Sequence, residues 1–168
     1  MILTKPELIP SLQGEIKLLL HLVSKVDPAQ LDYRPTSTQR STIELLQYLS
    51  IFGPIHLRAI LADSFDMDSW RNTWSTGEAS AKQLLHQAQA AITSLSPHCT
   101  ELLESCSDAR LSEEIEMFGH KNSRAFLILS LVLSHYSAYR MQLFLYLKSR
   151  AREELNTINL WVGINGAM

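Results

Sequence analysis

Residues 125–147 read AFLILSLVLSHYSAYRMQLFLYL. The stretch is long enough to cross a bilayer, which takes about 20 apolar residues. Its interior argues against that. Ser130, Ser134, His135, Ser137, Arg140 and Gln142 interrupt it, and an arginine near the middle of an isolated span is costly. Length and polar content together fit a helix buried in a protein core. A helix this apolar on nearly every side is expected at the centre of a helical packing rather than on its rim.

Outward from this segment, the chain of 168 residues reads as one domain of four helices. Thr4 and Glu7 have the spacing of a capping box, and Leu8, Leu12, Ile16, Leu19, Val23 and Val26 recur at helical spacing behind it. They predict a first helix over residues 6–26, bent or delayed by Pro10. VDPAQLDYRP is a loop punctuated by two prolines. Ser41 and Glu44 repeat the capping-box spacing and open a second helix to residue 63, kinked at Gly53 and Pro54. SFDMDSWRNTWSTG reads as a loop. A third helix is expected over residues 78–106, broken near Pro97, and the fourth over residues 123–154. The tail, residues 155–168, is expected to be non-helical and to pack on the bundle or on a partner through Leu160, Trp161 and Val162. Only EEIEMF has the makings of a short extended piece. The expected fold class is therefore all-α, a four-helix bundle.

Composition narrows the function classes. Hydrophobic residues make up 46% and charged residues 19%, with a formal net charge of −2. No run of Lys and Arg forms the basic patch that nucleic acid or an anionic membrane surface requires, so neither is expected as a partner. The N-terminus lacks a cationic start followed by an apolar run and is not read as a signal peptide. Cys99 and Cys106 stand seven residues apart. On one helix that is about 10 Å of rise, too far for a disulfide. Two reduced thiols fit the cytoplasm. DSFDMDSW alternates acids but lacks the glycine and terminal Glu of a calcium loop.

Residues four apart on a helix share a face, so His135 and Tyr139 point the same way, with Arg140 one residue round. Here the chain resembles the DinB/YfiT-like superfamily of four-helix-bundle proteins, many of them metalloenzymes. LDYRPTSTQRSTIELLQYL resembles the superfamily's stretch of loop and second-helix start. HYSAYRMQLFLYLK resembles its fourth-helix motif, ordinarily His-x-x-x-His-Arg-x-Gln-Leu, and NTINLWVG resembles an ending found in one branch.

The resemblance implies a metal site of three histidines, one from the second helix and two from the fourth. On this sequence those places fall at Tyr48, His135 and Tyr139, while Arg140 and Gln142 are kept. One imidazole and two phenols make a poor set for zinc or nickel, since a phenol must lose a proton to ligate well. No metal ligands, no catalytic residue and no cofactor are assigned. The expectation is instead that Tyr48, His135 and Tyr139 satisfy one another by hydrogen bonding. His56, two turns beyond Tyr48, either lines the same cavity or faces solvent. His21 is read as surface, His86 and His98 as lying on the third helix, and His120 in a loop. Arg140 is expected to be paired, with Glu44 as one candidate mate; the functional reading makes it an anchor for an anion.

The expected function is thus that of a DinB-like protein with a degenerate metal site, binding a small molecule between the second and fourth helices. Tyr48, His135, Tyr139, Arg140 and His56 would line that pocket. The alternative is a metal-dependent enzyme of the DinB-like thiol-transferase or hydrolase type, with zinc or nickel at low occupancy. A homodimer is implied by the same resemblance.

Overall fold

The computed structural model describes residues 3–81, 84–150 and 152–166. Helix α1 is Lys5–Val23, and its capping box forms as expected: the Thr4 amide donates to Glu7 Oε2 at 2.8 Å. Pro10 lies inside α1 without delaying its start. Its ring forfeits the bond to the Pro6 carbonyl, and both residues are exposed, so water takes that place. The buried stripe of α1 is Leu8, Leu12, Ile16, Leu19, Leu22 and Val23.

Helix α2 is Thr42–Leu61, opened by Ser41, whose amide donates to Glu44 Oε2 at 2.7 Å. It runs on through Gly53 and Pro54. Gly53 faces Tyr136, a fully buried side chain whose ring and hydroxyl fill the space where a β-carbon would stand.

Residues 64–77 depart from expectation. Most of them form helix α3, Met67–Ser80, with Asp66 as its cap accepting from the amides of Asp68 at 2.9 Å and Ser69 at 3.3 Å. Met67, Trp70, Trp74 and Gly77 make a half-buried stripe at spacings of three and four. The expected third helix is two helices, α4 (Leu85–Thr93) and α5 (Leu95–Glu104), and it starts later than residue 78. The break falls at Ser94 rather than Pro97. A proline without an amide is tolerated in a first turn, so Pro97 sits three residues into α5 and ends the helix before it.

A short helix α6, Asp108–Ser112, leads into a hairpin, β1 (Glu114–Met117) against β2 (His120–Ser123), antiparallel with Met117 opposite His120. Its two-residue loop has positive φ at both positions, 52° at Phe118 and 79° at Gly119, the backbone a twisted hairpin prefers. His120 therefore stands on a strand rather than in a loop.

The long apolar segment is one continuous helical run: α7 (Arg124–Leu127), a π-helical stretch (Ile128–Leu133) and α8 (Ser134–Lys148). It stops at Lys148, short of the expected residue 154. Nor does it sit at the centre. Phe126, Leu129 and Leu145 are exposed along it. The central place belongs to α2, which packs against α3, α4, α5 and the π-helical stretch as well as α8. The tail carries a helix after all, α9 (Thr157–Trp161), packed on α1 and α8. Leu160 is buried there, whereas Trp161 and Val162 are more than half exposed.

The core runs through α1, α2, the α4–α5 pair and the α7–α8 run as one cluster of buried side chains. This is the all-α bundle that the sequence predicts, with α3 laid across the outside of α2.

Candidate functional site

Tyr48 projects from α2 and Tyr139 from α8, and their ring centroids are 4.8 Å apart. The Tyr48 and Tyr139 hydroxyls share a hydrogen bond. Burial first, and that hydrogen bond second, push the Tyr48 phenol well above its ordinary value. His135 lies one turn before Tyr139, with ring centroids 6.2 Å apart. His56 is buried, and its Nδ1 meets the Phe52 carbonyl at 3.0 Å. Burial lowers its pKa, and the neighbouring His135 lowers it further against the opposing hydrogen bond.

Phe52 joins three of these four side chains, and Tyr139 packs on two of the three. Its ring stacks on His135 at 5.2 Å and on Tyr48 at 5.5 Å, and His56 leans on it at 4.6 Å. Trp74 of α3 closes the outer side, 5.6 Å from Tyr48 and 5.7 Å from His56. The expected cluster is therefore as much an aromatic stack as a hydrogen-bonded one. Its histidines do not bond to the phenols. His135 Nδ1 instead meets the Ser130 carbonyl, five residues back, at 3.3 Å, a partner that the π-helical stretch brings within reach.

Outside the pair of phenols lies an open cleft of about 720 Å³. Tyr48 and Ile51 of α2, Tyr139 and Gln142 of α8, Glu78 of α3 and Arg40 are among its walls. Arg40 stands with its guanidinium 4.1 Å over the Tyr48 ring. A relay fixes the loop that carries it: Gln142 Nε2 donates to Tyr146 Oη at 2.6 Å, and that hydroxyl donates to the Arg40 carbonyl at 2.9 Å.

Arg140 takes no part. Buried, it turns to α1, with Nε donating to Glu15 Oε2 at 3.1 Å and a further bond to the Leu160 carbonyl. Its guanidinium lies 5.0 Å from the Trp161 ring. The candidate mate Glu44 is committed elsewhere, to its own helix cap and to Arg34 at 3.2 Å. Of the five expected lining residues, Tyr48, His56, His135 and Tyr139 come together around Phe52, and only the two tyrosines reach the cleft. The other histidines lie apart: His21 meets Asn159 of α9 at 3.1 Å, and His98 meets Arg58 at 2.6 Å.

Among the described residues, no three His, Cys, Asp or Glu side chains are placed to hold a metal ion. The chemistry of the three family positions agrees. Tyr48 keeps its proton through neutral pH, and a protonated phenol is not a ligand for zinc or nickel. The residues present do not fit the metal that the resemblance implies. No described helix is long and apolar enough to cross a membrane.

Trp74 stood out in the sequence as an aromatic able to wall a pocket, whereas Arg40, Phe52 and Glu78 were not legible as site residues. For Trp74 a further signal was the Met67, Trp70, Trp74, Gly77 spacing. For Arg40 no local pattern exists, because the Tyr146 bond that holds its backbone joins residues 106 apart.

The architecture defines a class, the DinB-like helical bundle. The chain superposes on the crystal structure of a DinB-like protein, YjoA, from Bacillus subtilis with a TM-score of 0.68, covering 89% of this chain and 94% of that one at 17% identity. A scan against protein-family models finds no match, and a search of the curated proteins finds none either. The DinB-like fold expected from the motifs is borne out, at an identity that speaks for the fold alone.

Proposed function

We propose that this chain is a DinB-like protein whose metal site is replaced by an aromatic and phenolic cluster, and that it binds a small molecule in the cleft between α2 and α8. The observation that carries the reading is the Tyr48–Tyr139 pair. Two phenols share a hydrogen bond where the resemblance implies two imidazoles, and they form the floor of an open cleft. Arg40 and Glu78 at its walls supply charge of both signs, and Gln142 supplies an amide. Such a cleft suits a small polar molecule with a flat face to lie on Tyr139, held at its edges by hydrogen bonds.

Two measurements test this. Elemental analysis of untagged protein incubated with zinc or nickel should find less than about a tenth of an equivalent, since a working site needs three or four competent ligands. Near-stoichiometric metal that a chelator removes would overturn the proposal. In the converse experiment, Tyr48→His combined with Tyr139→His restores the three-imidazole set with His135 and should create chelator-reversible zinc or nickel binding. A folded double variant that binds neither metal means that the motif has been placed on the wrong residues. Pairing with a second copy belongs to the same proposal, and light scattering of the purified protein at micromolar concentration tests it.

A further inference from the structure

Away from the tyrosine cleft, a groove of about 600 Å³ runs between α2, α3 and the α4–α5 pair. That volume is in the range of pockets that enclose small organic ligands, roughly 300–1,000 Å³. Its floor is apolar, built from Ile51, Pro54 and Ile55 of α2 and Leu95 of α5. Small residues keep it open. Gly77 of α3 is one, and a β-carbon there would stand 2.9 Å from Ile55 Cδ1. Ala91 of α4 is another.

Five hydroxyls line the rim, and all have already given their proton away, Ser80 to the Gly77 carbonyl at 2.9 Å. Ser50 donates to the Gln47 carbonyl at 2.7 Å, Thr73 to Ser69 at 2.9 Å, Thr76 to Asn72 at 2.9 Å and Ser94 to Ala91 at 2.7 Å. To a ligand these side chains offer lone pairs and methyl groups, not donors.

Asn72 brings a side-chain amide to the groove, and the cationic donor is Arg58. Arg58 gives one N–H to His98 Nε2 at 2.6 Å. Among the described residues no carboxylate forms an ion pair with Arg58. Arg58, Ile55 and Thr73 also line a smaller adjoining cavity of about 180 Å³. That cavity reaches Trp70, whose buried indole N–H has no hydrogen-bond partner. Asp66 lines it too, with Oδ1 accepting from the amides of Asp68 and Ser69.

We propose that this groove is a second ligand site, distinct from the tyrosine cleft, and that it takes a small organic carboxylate with an apolar body. The carboxylate meets Arg58, whose planar fork matches it, and the body covers Ile51, Pro54, Ile55 and Leu95. A neutral molecule of the same shape would bury the floor but leave the guanidinium without its anion. An amine would be repelled by it.

The experiment is a titration of the full chain with sodium 4-phenylbutyrate, followed by amide chemical shifts, with 4-phenylbutyramide as the uncharged match. Saturable shifts are expected at Thr73, Thr76, Gly77 and Ala91, with the amide at least about tenfold weaker because it loses the charge-assisted pair. Arg58→Gln, an exposed site, should weaken the carboxylate by a similar factor and leave the amide unchanged. Thr76→Trp, which lays an indole across the rim, should abolish both. Tyr48→Phe should alter neither, which separates this site from the cleft. Equal affinity of acid and amide overturns the proposal, as do shifts centred on Tyr139 and Gln142, or no saturation by about 10 mM, an affinity too weak for a built site.

Discussion

A β-carbon added at Gly53 would stand 2.2 Å from the Tyr136 hydroxyl oxygen and 2.9 Å from two carbons of its ring. Tyr136 is fully buried and packs edge-on to Phe52 at 5.5 Å, so the ring has nowhere to go. Gly53→Ala gains up to about 1 kcal/mol of helix propensity but overpacks the core at a cost of about 1–3 kcal/mol. The contact distances say that overpacking wins. Urea unfolding should show Gly53→Ala less stable than the wild type, and adding Tyr136→Phe should recover part of the loss by removing the nearest atom. The second change is tolerable because the buried hydroxyl makes no well-formed hydrogen bond. A second residue-scale prediction concerns pH. The His56 pKa is lowered in the fold, mainly by burial. The unfolded chain therefore binds the proton more readily, and stability is full above the unfolded value near 6.5 and falls as pH drops below it toward the folded value. His21, also lowered by burial, acts in the same direction. The carboxylates of Glu7 and Glu44 are lowered from 4.5 and lose their stabilisation at still lower pH. The urea midpoint should fall between pH 7 and pH 5.5, and His56→Asn should flatten that fall. No change in slope would mean that His56 is not buried as described. At this scale spacing put His135 and Tyr139 on one face, and the family resemblance added Tyr48 from the second helix. It could not choose Glu15 over Glu44 as the mate of Arg140, because that depends on how α1 and α8 are rotated about their axes.

Among the elements, α3 is the one whose polarity hid it. Twelve of its 14 residues are polar, tryptophan or glycine, and none is fully buried, so composition reads as loop. Its stripe of Met67, Trp70, Trp74 and Gly77 is the helical signal, and Asp66 the start signal. A helix held only by such a stripe leans heavily on its cap. Asp66→Ala removes the acceptor for two amides and should cost about 1 kcal/mol. The loss should be local: hydrogen exchange should rise over the first turns of α3 and hardly at all in α1 or α8. Uniform loss of protection would mean that α3 folds as one unit with the core. The hairpin was hidden for another reason. Phe118 at a positive φ is an unusual choice for a turn, made tolerable by packing against Phe65 at 4.9 Å and Trp70 at 5.3 Å. The π-helical stretch before His135 has no local sequence mark.

For the molecule as a whole, Arg140 decides whether the two ends of the chain stay together. It sits on α8 and ties Glu15 of α1 to the Leu160 carbonyl of α9, while His21 and Asn159 make a second tie between α1 and α9. The superfamily motif keeps an arginine at this place beside the histidines, which invites a role in the pocket. The geometry instead gives it a role in closure, one residue round the helix from Tyr139. The two roles predict different failures. Arg140→Met keeps the length and apolar stem of the side chain but strands Glu15, which is only 20% exposed, and leaves the Leu160 carbonyl without its donor. Breaking a buried pair by removing one partner costs about 3–5 kcal/mol. Because Glu15 reaches some solvent, the lower end of that range is expected. The loss should include undocking of α9, seen as faster tryptic cleavage at Arg152 and loss of exchange protection over residues 157–161. Adding Glu15→Gln, which neutralises the stranded carboxylate, should return part of the stability. If Arg140→Met leaves the tail protected but abolishes ligand binding in the tyrosine cleft, the arginine belongs to the pocket and closure rests on the remaining contacts, His21 with Asn159 and buried Leu160 among them.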